Sequence, residues 1–438
     1  MRIAAITAGA AGTFCGSCLH DNTLAAALAR LGHDVALAPT YTPIRTDEAD
    51  VSQPRVFLGG INAYLDQKPW LRHRPRLLRR WLDRPGLIRF ATRLSPLPNY
   101  DALGELTLSV LRGEHGNQRD AFRQLTDWLA QDFRPEIVTL TNVLLSAIAP
   151  PVKARLGRPI LAYLQGDDLF LDALRPEHRG PAIELIRANA AAIDGFIAPC
   201  RDYADFMADY LGIRRDAIAV VPLGLNLRAH DSVATRIPPS AIRHPKRTGE
   251  QPVIGFFARI APEKGLHVLV DAFIRLRRMP GVPAARLRIG GWLGPHHRDY
   301  LAGERRKLAD AGLAGDVEHV DCPRLEEKIR FLQSLDLFSV PATFREPKGL
   351  YVLEAQAHGV PVVQPAHGSF PELITATGGG RLVPPNDPAA LAEALRDLLA
   401  DETERRRLGA AGRDAVRRDF SDDLMAQRTA EHYRRFLH

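Results

Sequence analysis

Two pairs of charged side chains stand where their types and spacing could do chemistry. In Phe257-Ala-Arg259-Ile-Ala-Pro-Glu-Lys264-Gly265 a guanidinium and an ammonium lie five residues apart, in a short loop after an apolar, strand-like run. Such a loop at the carboxyl end of a strand can hold a diphosphate between its cations. On pattern alone a solvated basic loop has equal standing. In Phe344-Arg-Glu346-Pro-Lys348-Gly349-Leu350-Tyr-Val-Leu-Glu354-Ala two carboxylates lie eight residues apart. Pro347 and Gly349 keep Glu346 in a loop, and the spacing predicts Glu354 about two turns into the helix that follows. A loop carboxylate beside the N–H groups of a helix N-terminus suits a sugar diphosphate: hydroxyls meet the carboxylate and phosphate oxygens the amides. The competing explanation is a glutamate favoured by the helix dipole, although a charge inside the largely apolar run 350–357 argues against a solvent-facing Glu354. A third candidate is the loop Gly9-Ala-Ala-Gly12-Thr-Phe-Cys15-Gly16. Its glycines permit close approach to a phosphate ahead of a helix, but the spacing is not G-x-G-x-x-G, and a tight structural turn explains it equally well.

These loops need strands to carry them. Apolar runs at Arg2–Thr7, Val35–Ala38, Ile137–Thr141, Ile160–Tyr163, Gly195–Ala198 and Ala219–Val221 read as buried parallel strands, with helical patterns such as Leu24–Leu31 and Ala182–Ala192 between them. The rhythm returns at Val253–Phe257, Arg286–Ile289, Val317–Val320, Leu337–Val340 and Val360–Gln364. Alternating strands and helices predict an α/β protein of two Rossmann-like, doubly wound domains facing across a cleft, with ligands at the strand carboxyl ends. The stretch Asn226–Gln251, rich in Pro, Arg, His and Ser, is the expected linker; it separates a first domain over 1–225 from a second over 252–418.

Composition narrows the class. A chain of 438 residues with 45% hydrophobic and 25% charged residues suits two or three globular domains. No apolar run approaches the length that spans a bilayer. The opening Met-Arg-Ile-Ala-Ala-Ile-Thr is too short for a signal-peptide core and runs into the glycine loop, so a cytoplasmic protein is expected. Four cysteines do not make a disulfide framework. Cys15 and Cys18 form a C-x-x-C without a second pair at matching spacing, which favours small residues in a tight loop over redox or zinc chemistry.

Taken together, the motifs resemble the retaining glycosyltransferases of family 4 (glycosyl transferases group 1), whose fold is called GT-B. The match runs through Arg259–Gly265, Glu346-Pro-Lys-Gly-Leu-Tyr-Val-Leu-Glu354-Ala, Gly359-Val-Pro-Val-Val363 and Leu382-Val-Pro-Pro-Asn-Asp387, in the family's order, with Val221-Pro-Leu-Gly-Leu-Asn226 ahead of them. The resemblance implies a metal-independent enzyme without a resident cofactor, using a nucleoside-diphosphate sugar as co-substrate. It implies that Arg259 and Lys264 neutralise the donor diphosphate, supported by the backbone at Gly349 and Leu350. It implies ribose binding by Glu354, and positioning of the transferred sugar by Glu346, so that Arg259, Lys264 and Glu346 form the catalytic set. Gly16 would lie against the phosphates or acceptor, with His20 on the acceptor side, and the segment 419–438 would be a helix crossing back to the first domain. Three departures stand out: Cys15 and Lys348 replace a glycine and a phenylalanine of the family pattern, and Gln165 replaces a histidine. Glutamine cannot act as an acid or base but can bond a sugar hydroxyl, which leaves Asp167 and Asp168 as alternative acceptor-side groups. Their pairing also admits a Mg²⁺ reading, which the resemblance disfavours.

The acceptor side holds a further signal in an insertion over about 53–115. Between Lys68 and Arg93 nine basic residues oppose one acid, Asp83, and Trp70, Leu77, Leu78, Trp81, Leu82, Ile88 and Phe90 are interleaved with them. This composition suits peripheral binding to an anionic membrane, on its inner face for a cytoplasmic protein. Inward packing of the apolar residues, or a grip on an anionic acceptor or glucan, fits equally. Nothing points to nucleic acid. The acceptor hydroxyl is open between lipid-linked and polysaccharide. The alternatives to a transferase of this kind are a glycogen- or sucrose-synthase-like enzyme, encouraged by Phe57-Leu-Gly-Gly-Ile-Asn-Ala-Tyr, and a non-catalytic nucleotide-sugar sensor, encouraged by Gln165 and Lys348.

Overall fold

Runs such as Ile-Val-Thr-Leu and Ile-Leu-Ala-Tyr lack polar alternation, so a sheet that takes them in must be covered on both faces. The computed structural model, which describes residues 1–9, 16–58, 65, 100–235 and 251–437, has two such sheets. The chain divides into unit 1, Met1–Pro222 with Asp423–His438, and unit 2, Leu223–Asp422. In unit 1 the strands are β1 (Arg2–Thr7), β2 (Asp34–Pro39), β3 (Ile137–Leu140), β4 (Ile160–Tyr163), β5 (Gly195–Ala198) and β6 (Ile218–Val220). They pair in the order β2-β1-β3-β4-β5-β6, all parallel. Every residue of β3, β4 and β5 is buried. Helix α1 (Gly16–Arg30) is the crossover from β1 to β2. Strand order reverses between β1 and β3, which makes their carboxyl ends the switch point of this sheet.

Unit 2 repeats the plan with β7 (Val253–Phe257), β8 (Arg286–Gly290), β9 (Val317–Val320), β10 (Leu337–Phe338), β11 (Val362–Pro365) and β12 (Gly380–Val383). The order is β12-β11-β10-β7-β8-β9, again parallel, and it reverses between β7 and β10. The helices that bear on the site are α2 (Leu227–Ala234), α3 (Leu266–Arg278), α4 (Leu325–Gln333), α5 (Leu350–Ala357) and α6 (Phe370–Thr377).

The chain returns to unit 1 through α7 (Asp422–Arg434). Met425, Ala426, Ala430 and Tyr433 of α7 join Ile3, Leu24, Leu28, Ile137 and Leu161 in one buried cluster. The Tyr433 and Tyr163 hydroxyls meet at 2.7 Å. The helix expected to cross back to the first domain is therefore present.

Several sequence-based boundaries move. The expected linker opens as helix α2, capped by Asn226, whose side chain accepts from the Ala229 N–H at 3.1 Å, and it buries His230. Its short inward face of Ala229, His230 and Val233 has too few large apolar residues to show as a period. Strand β12 was not expected, because a half-exposed strand opening on Gly380 carries no apolar run. The ends of the insertion belong to the core of unit 1: Phe57, Leu58, Leu108 and Leu111 are buried there. The basic stretch 68–93, most of the Gly9–Gly16 loop and residues 236–250 lie outside the described residues. Among the described residues no helix is long and apolar enough to cross a membrane.

Candidate active site

Because β7 and β10 are neighbours at the point of reversal, the loops leaving them run side by side. The β7 loop carries Arg259 and Lys264, and the β10 loop carries Glu346. Gly265 lets them approach: its φ is +74°, and a Cβ there would lie 1.8 Å from the Pro341 carbonyl oxygen. The Thr343 N–H donates to the Glu263 carbonyl at 2.9 Å and ties the same two loops together. The outcome is Lys264 Nζ at 2.5 Å from Glu346 Oε2. Both are largely buried, with side chains 15% and 4% exposed. The ammonium lies 4.7 Å from the Phe344 ring and 5.4 Å from the Tyr351 ring, an arrangement that favours the cation further.

Glu346 is held on several sides. The Tyr351 hydroxyl donates to Oε2 at 3.1 Å, the Lys348 N–H to Oε1 at 3.3 Å, and the Ser369 N–H, at the start of α6, to its carbonyl at 2.8 Å. Burial pushes the carboxyl up, but the charge of Lys264 and its hydrogen bond outweigh that and hold it below the ordinary carboxylate value. It is therefore ionised at neutral pH and unsuited to donating a proton; its chemistry is that of a fixed negative charge. Burial and the Glu346 charge drive the Tyr351 phenol well above its usual value, so it remains a donor.

Arg259 is more open, 41% exposed, and pairs with Glu263 one turn along. Gly349, at φ +61°, caps α5, and Leu350 begins the helix. The first N–H groups of α5 have no acceptor within the helix. Glu354, fifth in α5, stands nearer this end than expected, because the helix begins only at Leu350. It is buried against a partner that sequence reasoning missed, Lys328 of α4, with Nζ 2.6 Å from Oε1. Within unit 2 the structure brings Lys264 and Glu346 into contact, places Arg259 on the same loop as Lys264 and Gly349 and Leu350 at the start of α5, and seats Glu354 against Lys328.

In unit 1 the candidates gather at the other switch point. Gly16 opens α1 and is exposed. His20 is buried, and its Nδ1 lies 3.1 Å from Asp21 Oδ1. Asp21, also missed, is the hub. Its Oδ2 accepts from Thr7 at the end of β1 at 2.8 Å and from Thr141 after β3, and Gln165 Nε2 reaches Oδ1 at 3.2 Å. Burial raises the Asp21 carboxyl, yet the His20, Thr141 and Thr7 bonds bring it below its ordinary value. Gln165 also donates to the Thr141 carbonyl at 3.0 Å. Asp167 and Asp168 sit differently. Asp167 accepts from the Val143 and Gln165 N–H groups at 3.0 and 2.9 Å, and burial lifts it to about 6. Asp168 accepts from the Tyr203 hydroxyl at 2.5 Å. Asp167 thus holds backbone N–H groups, and Asp168 the hydroxyl of a neighbouring helix. Cys18 is buried with Ala25, Leu37 and Ile44, as a packing residue would be.

Comparison with known proteins follows the two units. The family model described as glycosyl transferases group 1 matches residues 240–415, and a glycosyl transferase 4-like domain matches 22–224. A GDP-mannose-dependent alpha-(1-6)-phosphatidylinositol monomannoside mannosyltransferase of Mycobacterium tuberculosis is 31% identical over 199 residues, 44% of this chain and 50% of that one. A D-inositol 3-phosphate glycosyltransferase of Xylanimonas cellulosilytica is 33% identical over 258 residues, 57% and 59% of the two chains. The chain thus spans about half the length of the curated relatives it matches. Among solved structures, Anabaena Alr3699/HepE in complex with UDP superposes with a TM-score of 0.68 at 16% identity, covering 99% of this chain and 100% of that one. Sucrose-phosphate synthase from Thermosynechococcus elongatus gives 0.68 at 20% identity over 99% of each. At these identities the likeness shows the fold, a pair of Rossmann-like domains of the GT-B kind.

Proposed function

The chain belongs to the glycosyl transferases group 1, and from that premise we propose that it moves a sugar, with retained anomeric configuration, from a nucleoside-diphosphate donor to an acceptor hydroxyl. The observation that carries this reading is the buried Lys264–Glu346 pair at the reversal of the second sheet, beside the N-terminus of α5. As the bond to the leaving diphosphate breaks, negative charge builds on its oxygens. Lys264, Arg259 and the first amides of α5 are the groups that meet that charge, and they stabilise the transition state more than the ground state. Glu346, ionised and fixed, holds the sugar hydroxyls and faces the positive charge developing on the ring. Glu354 accepts from the ribose.

The donor base is open between the GDP-mannose named for one relative and the UDP named for a structural neighbour. Thermal shift against UDP-, GDP- and ADP-sugars selects it, because a ligand bound only by the folded state raises the melting point. With that donor, nucleoside diphosphate release is measured with a hydroxyl lipid in anionic vesicles and with a soluble glucan. The two arms distinguish a membrane-borne acceptor, which the basic stretch 68–93 suits, from a polysaccharide. Arg259→Ala and Lys264→Ala are each expected to lower kcat by about 100-fold or more. Near-normal turnover in both would remove the cationic clamp. Donor binding without release under any acceptor condition would favour a sensor.

A further inference from the structure

Lys328 is a charge placed on the apolar side of a helix. Leu325, Ile329 and Leu332 of α4 are buried, and Lys328, one helical turn from both leucines, shares their face and is 4% exposed. Its Nζ lies 2.6 Å from Oε1 of Glu354, itself 5% exposed. Removing two ions from water is expensive, and a pair of apolar residues of similar size would often serve stability as well or better. Stability alone therefore gives no reason to keep this pair.

Next to it stand His230 of α2 and His358 at the end of α5, their rings stacked and Nδ1 of the first 3.0 Å from Nε2 of the second. Burial, with the charges of Lys328 and Arg417 adding to it, pushes both imidazoles down, His358 to about 4. At neutral pH they add no further cation beside Glu354. The ammonium of Lys328 is in direct contact with this carboxylate, and a change of one side chain removes it.

Resting on the donor reading of Glu354, we propose that Lys328 is a specificity-determining residue: it keeps Glu354 ionised and oriented as an acceptor for the ribose 2′- and 3′-hydroxyls. The site then prefers nucleotides that carry the diol. A carboxylate oxygen has more than one lone pair, so an oxygen bound to the ammonium still accepts from a hydroxyl. A buried carboxylate stripped of its cation tends instead to take up a proton, and a carboxylic acid has lost acceptor capacity.

The test is calorimetric titration of wild type, Lys328→Met and Lys328→Arg with UDP, GDP and ADP and with their 2′,3′-dideoxy counterparts. Wild type is expected to bind one of the diphosphates and to lose about tenfold or more in affinity when the diol is absent. In Lys328→Met that ratio should fall towards one, and in Lys328→Arg most of it should remain. Should Met leave the chain unfolded, as circular dichroism would show, Lys328→Gln keeps an N–H donor without the charge and should lose the ratio too. A neutral variant that weakens both forms equally and keeps the ratio would overturn the proposal, because the pair would then only shape the fold. So would a wild type indifferent to the diol. If wild type binds none of the three diphosphates, the donor reading itself fails, and the proposal with it.

Discussion

The Tyr351 hydroxyl donates to Glu346 while its ring lies 5.4 Å from Lys264 Nζ, so one side chain supports both halves of the buried pair. Tyr351→Phe keeps the ring and withdraws one hydrogen bond from a charged acceptor. The expected loss is about 2 kcal/mol of stability by urea unfolding, with turnover reduced less than in Lys264→Ala, since the ammonium stays. Unchanged stability would mean that the phenol does not support Glu346. The loop placement of Arg259 and Glu346 and the helical placement of Glu354 were legible because proline and glycine set them locally. Tyr351 passed unnoticed among apolar neighbours. Lys328 and Asp21 meet partners 26 and 120 residues away, a proximity that spacing does not show. They did leave one shared trace: each is a charged residue at the inward phase of a helix, Lys328 with Leu325 and Leu332, Asp21 with Leu24 and Leu28. The partners of Asp167 and Asp168 were not legible either, since nothing local shows that the Val143 N–H and the Tyr203 hydroxyl lie within reach.

At the scale of elements, the contact of α2 with the end of α5 makes stability depend on pH. The His358 value in the folded chain, about 4, lies below the ordinary 6.5, because burial and the nearby Arg417 outweigh Asp231. As pH falls the unfolded chain takes up the proton first, so this contribution is intact above 6.5 and is lost between 6.5 and 4. By pH 5 the loss should be about 2 kcal/mol, and His230 acts in the same direction. Urea unfolding between pH 7 and pH 5 should therefore show a decline that is shallower in His358→Gln; equal slopes would deny the linkage. Strands with continuous apolar runs were legible almost to the residue, β1, β4, β5 and β7 among them. What escaped were β12 and α2, whose burial depends on neighbours rather than on a local period. The meeting of the β7 and β10 loops was implied by family resemblance alone, since it follows from the order of strands in the sheet and not from any one segment.

At the scale of the whole molecule, unit 1 is discontinuous in sequence, and α7 supplies part of its core. Tyr433 is 1% exposed, and Tyr433→Ala should cost about 4 kcal/mol through the cavity it leaves. Hydrogen exchange locates the effect: amides of β1 and β3 should lose protection while those of β7 and β8 keep theirs. An equal loss in both sheets would contradict the division into units. The repeated α/β plan was readable from the alternation of strands and helices. That residues after 422 complete unit 1 was not readable from that alternation; it followed from family resemblance alone. The arrangement has a consequence for how the protein is made. A chain emerging from the ribosome can finish all of unit 2 while the groove beside Ile3, Leu28 and Ile137 still waits for Met425 and Tyr433. Until residues 423–433 appear, unit 1 shows apolar surface to chaperones and proteases, so a message broken late would yield a finished second sheet on an unsealed first one, a product that quality control can recognise.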